Sequence, residues 1–448
     1  MTMPTQQLFA YWGDDPDSLI PAGTFSRNPD NRITFRYRHN GETHPRPVSL
    51  SLMPGQQHHP DAALNYLDNL LPDNLAVRER WAKKYGIDND PLTLLSKYGQ
   101  DVAGALVFST VPFGAQGLST QLSPRAVPLS REQIAERIAV LNQNDAVPFG
   151  SSRKRSSTWD ELTLHRWTLA GAQGKFALHL KNGQWYEPDW AHPSTHILKP
   201  PHRKLMGIEV FEAQMLGLAD AVSRTVTPAS IRGYSFYVSG GKVMDFGSQA
   251  TFITSRWDRW EAFGKSLRSH AEDMAQVLGL PSQAKYSITA AQIINRLQHH
   301  APAQIMAFIR QLAFNTYAGN ADAHAKNYSI QHNTHDRRVE LAPLYDAVPT
   351  FMFPRYNQTL AMSISSSRER SSRPINPGTE KQHLSDVTPH HWAQLAEATH
   401  IDPDETVAVA MAVREAVIGL LPEFIVAQKS HQVRLIAKHM RVLGRTGK

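Results

Sequence analysis

The eight residues Asn320-Ala-Asp322-Ala-His324-Ala-Lys326-Asn327 constrain this chain more than any other stretch. They follow an apolar run, Ile305 to Tyr317, and set an aspartate five residues before an asparagine. Phosphoryl transfer from ATP needs a carboxylate that accepts or orients the proton of the attacking hydroxyl. It also needs a neutral amide oxygen nearby that helps hold Mg²⁺ against the phosphates. Protein kinases supply both from one loop, with this Asp-to-Asn interval. A further metal carboxylate is available in Asp346, 19 residues beyond Asn327, in Leu341-Ala-Pro-Leu-Tyr345-Asp346. Between them, Tyr328-Ser-Ile-Gln and Arg338-Val-Glu-Leu read as two short strands around a polar turn, Asn333 to Arg337. Catalytic loop, hairpin, metal aspartate is the order of a kinase C-lobe. An isolated Asp-x-x-x-x-Asn is more often a polar loop that caps helices; the hairpin and Asp346 move the reading to a kinase.

The rest of the chain is organised compatibly. Ile33, Phe35 and Tyr37 fall on one face of a strand, and Asn65 to Tyr85 carries helical spacing. Gly99 to Phe108 reads as a loop entering a buried strand, and Arg131 to Asn142 as an amphipathic helix within a Pro-, Gly- and Ser-rich connection. A β-rich section follows. Phe176 to Trp185 carries the Asn182-Gly183 hairpin signal, Thr195 to Lys199 is a strand, Glu209 to Val222 a helix, and Phe236 to Met244 a second hairpin around Gly240-Gly241. Beyond about residue 260 the pattern is mostly helical, including Ala291 to Leu312 and Asp404 to Val442. The expected fold is α+β, a bilobal kinase-like arrangement with an added N-terminal α/β subdomain and a mostly helical C-lobe. Its parts are residues 1–110 for that subdomain, 111–160 as connection, 161–255 as N-lobe and 256–448 as C-lobe.

Composition excludes several classes. No cysteine is present, so there is neither a disulfide framework nor a thiolate metal site. The 21 histidines make no H-E-x-x-H spacing, which removes the usual metallohydrolase reading. The longest apolar runs are too short to span a membrane, and the N-terminus lacks a charged-then-apolar signal pattern, so the expected location is cytoplasmic with no membrane partner. The net charge of +7 permits an acidic partner without requiring one. Its two basic runs, Arg153-Lys-Arg155 and Arg434 to Lys448, read as solvated surface, and no zinc-finger spacing or helix-turn-helix stands out.

An N-lobe must offer a flexible loop over the nucleotide phosphates and a lysine that pairs with them. Leu169-Ala170-Gly171-Ala172-Gln173-Gly174-Lys175 supplies small residues whose backbone N–H groups can approach phosphate oxygens. It is not a Walker A loop, since Phe176 follows Lys175 where Ser or Thr belongs. Lys199, at a strand end about 25 residues on, is placed like the kinase β3 lysine, and Glu212 on the next helix could pair with it. The plainer reading of Lys199 is a strand-end lysine reaching for solvent.

Together these blocks resemble the HipA family of bacterial serine/threonine kinases, the toxins of HipBA-type toxin–antitoxin pairs. The matching stretches are Asn69-Leu-Leu-Pro-Asp-Asn74, Asp101-Val-Ala-Gly-Ala-Leu, Leu169 to Lys175, His196-Ile-Leu-Lys-Pro200, Arg268-Ser-His-Ala-Glu-Asp-Met274, Asn320 to Asn327 and Leu341 to Asp346. The resemblance implies that Asp322 is the catalytic base, that Asn327 and Asp346 bind Mg²⁺, and that Lys199 meets the ATP phosphates. It implies that Gly171 to Lys175 form the phosphate loop, with Asn320, His324 and Lys326 in support. It also implies a HipB-type antitoxin, a small DNA-binding repressor through which any DNA contact is made, and a substrate among translation factors, with aminoacyl-tRNA synthetases the expected class. In the family's best-known members a serine just before the phosphate loop is autophosphorylated. Thr168 stands at that position here, which makes it the expected regulatory phosphosite, with Ser156 and Ser157 as alternatives.

Two other readings compete. One is a nucleotide-binding corepressor subunit without physiological kinase activity, which retention of Asp322, Asn327 and Asp346 argues against. The other is a small-molecule or lipid kinase, since Asp-x-His-x-x-Asn also fits lipid kinases; the blocks around Asn69 and Asp101 favour the HipA family.

Overall fold

The computed structural model describes residues 6–38, 46–114, 127–144, 174–202, 204–225, 236–333, 338–354, 358–364 and 382–445. The architecture is α+β, as expected. The chain forms two compact units, each drawn from separated segments. Met1–Met206, Val243–Gln283 and Gln331–Arg337 make the first; Gly207–Lys242, Ala284–Ile330 and Arg338–Lys448 make the second. Among the described residues no helix is long and apolar enough to cross a membrane.

The first unit opens with β1 (Gln7–Asp15), β2 (Ser18–Arg27) and β3 (Ile33–Tyr37), continues through α1 (Ala62–Asn69), α2 (Leu75–Tyr85) and α3 (Pro91–Tyr98), and reaches β4 (Leu106–Ser109). The strands form an antiparallel sheet ordered β3-β2-β1-β4. Leu8, Phe25 and Phe108 on the sheet pack with Tyr66 and Leu67 of α1 and with Leu95 and Tyr98 of α3, all fully buried or nearly so. Each such side chain contributes about 1.5–3 kcal/mol of transfer free energy. The helical spacing read as continuous from Asn65 to Tyr85 is two helices. Pro72 disfavours a helical Leu71 and has no N–H to donate, and Asn74 starts α2 afresh by accepting a hydrogen bond from the Ala76 N–H at 3.0 Å.

A second sheet uses β5 (Pro128–Leu129), β6 (Phe176–Lys181), β7 (Gln184–Tyr186), β8 (His196–Lys199), β9 (Gly241–Phe246) and β10 (Gln249–Ser255), ordered β5-β7-β6-β8-β10-β9. Ile134 and Ile138 of α4 (Arg131–Asn144) pack on Phe176, Leu178, Leu198 and Ile253. The Asn182-Gly183 hairpin forms as expected, both residues at positive φ (50° and 77°), the conformation a two-residue type I′ turn demands. The second expected hairpin is displaced. Its turn lies at Gly247-Ser248, between β9 and β10, and Gly240 does not reverse the chain.

Helix predominates beyond residue 260, as expected, but the stretch ahead of Met274 is strand. β11 (Arg259–Ala262) and β12 (Lys265–Arg268) make a hairpin, and β13 (His270–Asp273) leads into the short helix Met274–Val277. The reason is a set of buried polar ties. Asp258 receives Arg256 at 2.7 Å, Arg259 at 2.8 Å and the Gly104 N–H at 2.8 Å, while Asp101 receives Arg259 at 3.3 Å and the Ser194 N–H at 3.1 Å. Burial alone would raise the Asp258 carboxyl, but the Arg256 and Arg259 guanidiniums outweigh it and hold the group well below the usual carboxylate range. Gly104 sits at φ +79°, and a Cβ there would stand 2.8 Å from the Ala271 carbonyl, so only glycine fits. Glu272 accepts from Ser49 Oγ at 2.5 Å, the Leu50 N–H at 3.0 Å and His332 Nε2 at 2.7 Å. Asn69 Nδ2 donates to the Leu280 carbonyl at 2.8 Å. Blocks far apart in sequence, around Asn69, Asp101 and Glu272, are therefore each tied by hydrogen bonds to another segment of the first unit.

The second unit holds α5 (Ile208–Thr225), α6 (Ala290–His300), α7 (Ile305–Tyr317), β14 (Ser329–His332), along which the chain returns to the first unit, β15 (Val339–Leu341), α8 (Pro389–Ala398), α9 (Pro403–Phe424) and α10 (Ser430–Leu443). Both long helices expected here are broken. Ala301, ahead of Pro302, leaves helical geometry at φ −153°, ψ 57°, and Ile425 ends α9 three residues after Pro422. Every residue of α7 is buried, which makes it the central post of the unit. Val238 makes a parallel bridge to Leu344, with Ser239 N–H donating to the Leu344 carbonyl at 2.8 Å.

Candidate active site

The polar octapeptide begins where α7 stops. Gly319 adopts φ +80°, its N–H donates to the Thr316 carbonyl at 3.2 Å, and the Asn320 N–H reaches back to the Asn315 carbonyl at 2.8 Å. This pair of bonds is a Schellman termination, and it ends the helix at a defined residue. A side chain at 319 would collide with Phe351 at 2.6 Å. Thr350 then pins the start of the loop: its Oγ1 donates to the Gly319 carbonyl at 2.9 Å and accepts from the Ala321 N–H at 3.0 Å.

Inside the loop, buried Asn320 donates from Nδ2 to Asn315 Oδ1 at 2.9 Å and, at 3.5 Å, towards the Asp346 carbonyl. Asn315 in turn donates to the hydroxyl of buried Tyr328 at 3.1 Å. A 3₁₀ turn, Ala325–Asn327, follows. Its Lys326 carbonyl accepts from the Tyr345 hydroxyl at 2.8 Å, and that hydroxyl also meets Ser329 Oγ at 2.6 Å. Asp322 is half-buried, whereas His324, Lys326 and Asn327 are buried.

The arrangement brings Asn327 and Asp346 together, with Asn327 Nδ2 donating to Asp346 Oδ2 at 3.2 Å. Asp346 holds φ +55°, a left-handed conformation uncommon outside glycine and more tolerable for aspartate than for most residues. The Asn327 Oδ1 atom is buried without a hydrogen-bond partner among the described residues. A buried amide oxygen left unmatched costs about 1–3 kcal/mol, so a missing partner is the physical explanation to seek. An amide oxygen beside a carboxylate is a hard-oxygen donor pair, and it suits Mg²⁺, which takes one or two protein ligands and completes its shell with water and phosphate oxygens.

Three residues that support the loop have no local sequence signal: Asn315 within an apolar helix, Thr350, and Tyr345. Tyr286 is another. It lies 36 residues before Asp322, and its hydroxyl donates to Asp322 Oδ1 at 3.2 Å.

The remaining candidates lie elsewhere. Lys199 is buried on β8, opposite Phe252 of β10, with Nζ 5.7 Å from the Phe252 ring centroid. Glu212 is buried on α5. Lys199 belongs to the first unit and Glu212 to the second. Gly174 and Lys175 are half-buried immediately before β6. Thr168, Ala170, Gly171, Ala172 and Gln173, like Ser156 and Ser157, lie outside the described residues.

Comparison with known proteins places the chain in a family. The family model of the HipA-like C-terminal domain matches residues 167–420, and that of the HipA N-terminal domain matches residues 18–109. A Sinorhizobium fredii protein named as a candidate kinase, Y4mE, is 30% identical over 309 residues, covering 67% of this chain and 67% of its own length. The serine/threonine-protein kinase toxin HipA of Shewanella oneidensis is 27% identical over 327 residues, 68% of this chain and 67% of its own. Among solved structures, the complex of Shewanella oneidensis HipA, HipB and operator DNA matches with a TM-score of 0.72 at 20% identity, over 97% of this chain and 95% of that one. At that identity the likeness is one of fold.

Proposed function

This chain belongs to the HipA family, and we propose that it is an ATP- and Mg²⁺-dependent serine/threonine protein kinase that acts as the toxin of a toxin–antitoxin pair. The observation that carries the reading is the pairing of Asn327 with Asp346, with a buried amide oxygen left over, on the same loop as Asp322. Asp322 accepts the proton of the acceptor hydroxyl as that oxygen attacks phosphorus, and Asn327 and Asp346 hold the metal. When bound, Mg²⁺ neutralises charge on the phosphate oxygens. Asn320, through Asn315 and the Asp346 carbonyl, keeps the loop and the aspartate in register. Lys199 is assigned to the ATP phosphates on the family resemblance.

The acceptor is a protein of the translation apparatus, with an aminoacyl-tRNA synthetase the favoured class, which would place the activity in the cytoplasm. The regulator is a HipB-type antitoxin, as in the solved complex of the Shewanella oneidensis relative, and DNA is met through that partner. Thr168 is the proposed autophosphorylation site.

Incubation of the purified chain with Mg²⁺-ATP, read by intact mass beside Asp322→Gln, tests the assignment. The native protein is expected to gain phosphate on itself or on an added acceptor, and the variant to gain none. Equal behaviour of the two would remove Asp322 from the chemistry. Peptide mapping of the product tests Thr168.

A further inference from the structure

Tyr286 closes the 3₁₀ turn Ser282–Tyr286 and is 49% exposed. Its hydroxyl donates to Asp322 Oδ1 at 3.2 Å, and its ring meets the His324 ring edge-to-face, with centroids 5.0 Å apart and an interplanar angle of 81°. The Lys285 ammonium lies 5.1 Å from the same ring. An alcohol hydrogen donated to this carboxylate is the interaction that the attacking hydroxyl of a phosphoacceptor must make with a kinase base. The bond is long: charge-assisted O–H···O⁻ contacts run at about 2.5–2.7 Å. It is also solvent-exposed, so water can replace it at little cost.

From this we infer that Tyr286 is a stand-in acceptor. In the substrate-free protein its hydroxyl occupies the Asp322 oxygen that the incoming serine or threonine hydroxyl will use. The exchange breaks one O–H···O bond and forms another, with no covalent change, and it leaves the exposed ring of Tyr286 as part of the acceptor subsite. The position of Tyr286 beside both Asp322 and His324 therefore marks the side from which the acceptor chain arrives. The inference rests on the kinase reading given above.

The test uses full-length protein, Mg²⁺-ATP, and two acceptors: water, read as ATP hydrolysis, and myelin basic protein, read as phosphate incorporation. A hydrogen bond of this kind corresponds to roughly two- to twelve-fold in an equilibrium constant. Tyr286→Phe is accordingly expected to raise ATP hydrolysis and lower the KM for the protein acceptor by a factor in that range, with the KM for ATP unchanged. Thermal melting of the variant alongside the native protein separates these effects from loss of fold. A fall in kcat at constant acceptor KM would overturn the inference, because Tyr286 would then be holding the base in place. Unchanged kinetics with both acceptors would also overturn it. If native protein and Asp322→Asn are equally inactive with both acceptors, the kinase reading itself fails and the stand-in role falls with it. Activity in the native protein but not in Asp322→Asn upholds the kinase reading, so that the Tyr286→Phe kinetics then bear on Tyr286 alone.

Discussion

Asn327 Nδ2 donates to Asp346 Oδ2 at 3.2 Å, and the oxygen of the same amide is buried without a hydrogen-bond partner among the described residues. One amide thus orients the neighbouring carboxylate and keeps a second donor atom in reserve. The two residues are 19 positions apart and are joined through a hairpin, and the left-handed φ of Asp346 turns the chain at the point where they meet.

If that oxygen is a metal ligand, Asn327→Ala should raise the Mg²⁺ concentration needed for half-maximal phosphotransfer by about 10- to 100-fold, the usual scale for disrupting metal-supporting groups. Titration of MgCl₂ at saturating ATP measures this. Chelation by EDTA should abolish transfer in the native protein, and added Mg²⁺ should restore it.

Asn315 and Asn320 form a buried amide pair under the loop. Asn315→Ala leaves the Asn320 amide and the Tyr328 hydroxyl each short of a partner, at a cost of about 1–3 kcal/mol. Urea denaturation should record that loss of stability. The KM for ATP should move less than kcat, because the loop that carries Asp322 loses its support.

The Asp258 carboxylate is surrounded by Arg256, Arg259 and the Gly104 N–H. Asp258→Ala strands two buried guanidiniums, and removing one partner of a buried ionic pair typically costs about 3–5 kcal/mol. The expected result is a large drop in the urea midpoint or in soluble yield. Reduced kinase activity should appear only to the extent that folded protein is lost.

His439 stacks on Phe351 at 4.1 Å and donates from Nε2 to the Tyr317 carbonyl at 2.9 Å. Burial pushes the imidazole down to about 4, against the lesser opposing effect of that hydrogen bond. A depressed folded value means that the unfolded chain binds the proton first. The contribution of His439 is therefore complete above about pH 6.5 and is lost as pH falls towards 4. Between pH 7.5 and pH 5 the loss is about 2 kcal/mol on this linkage. Urea midpoints at the two pH values should differ less in His439→Gln than in the native protein, and an equal pH dependence would contradict the assignment.

Much of this protein is legible in the sequence because the relevant physics is local. The Asn182-Gly183 turn needs two residues that tolerate positive φ, and it forms where those residues stand. The strand at Thr195 to Lys199, the helix at Glu209 to Val222, and the loop and hairpin running from Asn320 to Asp346 follow from periodicity and spacing over fewer than thirty residues. Proline marked where the long helical readings had to break, at Pro72 and Pro302, although periodicity alone ran through both. The β-strands from 259 to 273 were hidden for a different reason. Arg259, Arg268 and Glu272 look like surface charges until Asp101, Ser49 and His332 arrive from distant parts of the chain. The same holds at the candidate site. The spacing of Asp322 and Asn327 names the chemistry, but the unmatched Asn327 oxygen and the Tyr286 hydroxyl on Asp322 depend on three-dimensional proximity between segments that carry no mutual sequence signal. Short-range conformational preference is written residue by residue; the pairing of buried charges and hydrogen-bond donors is decided only when packing excludes water from around them.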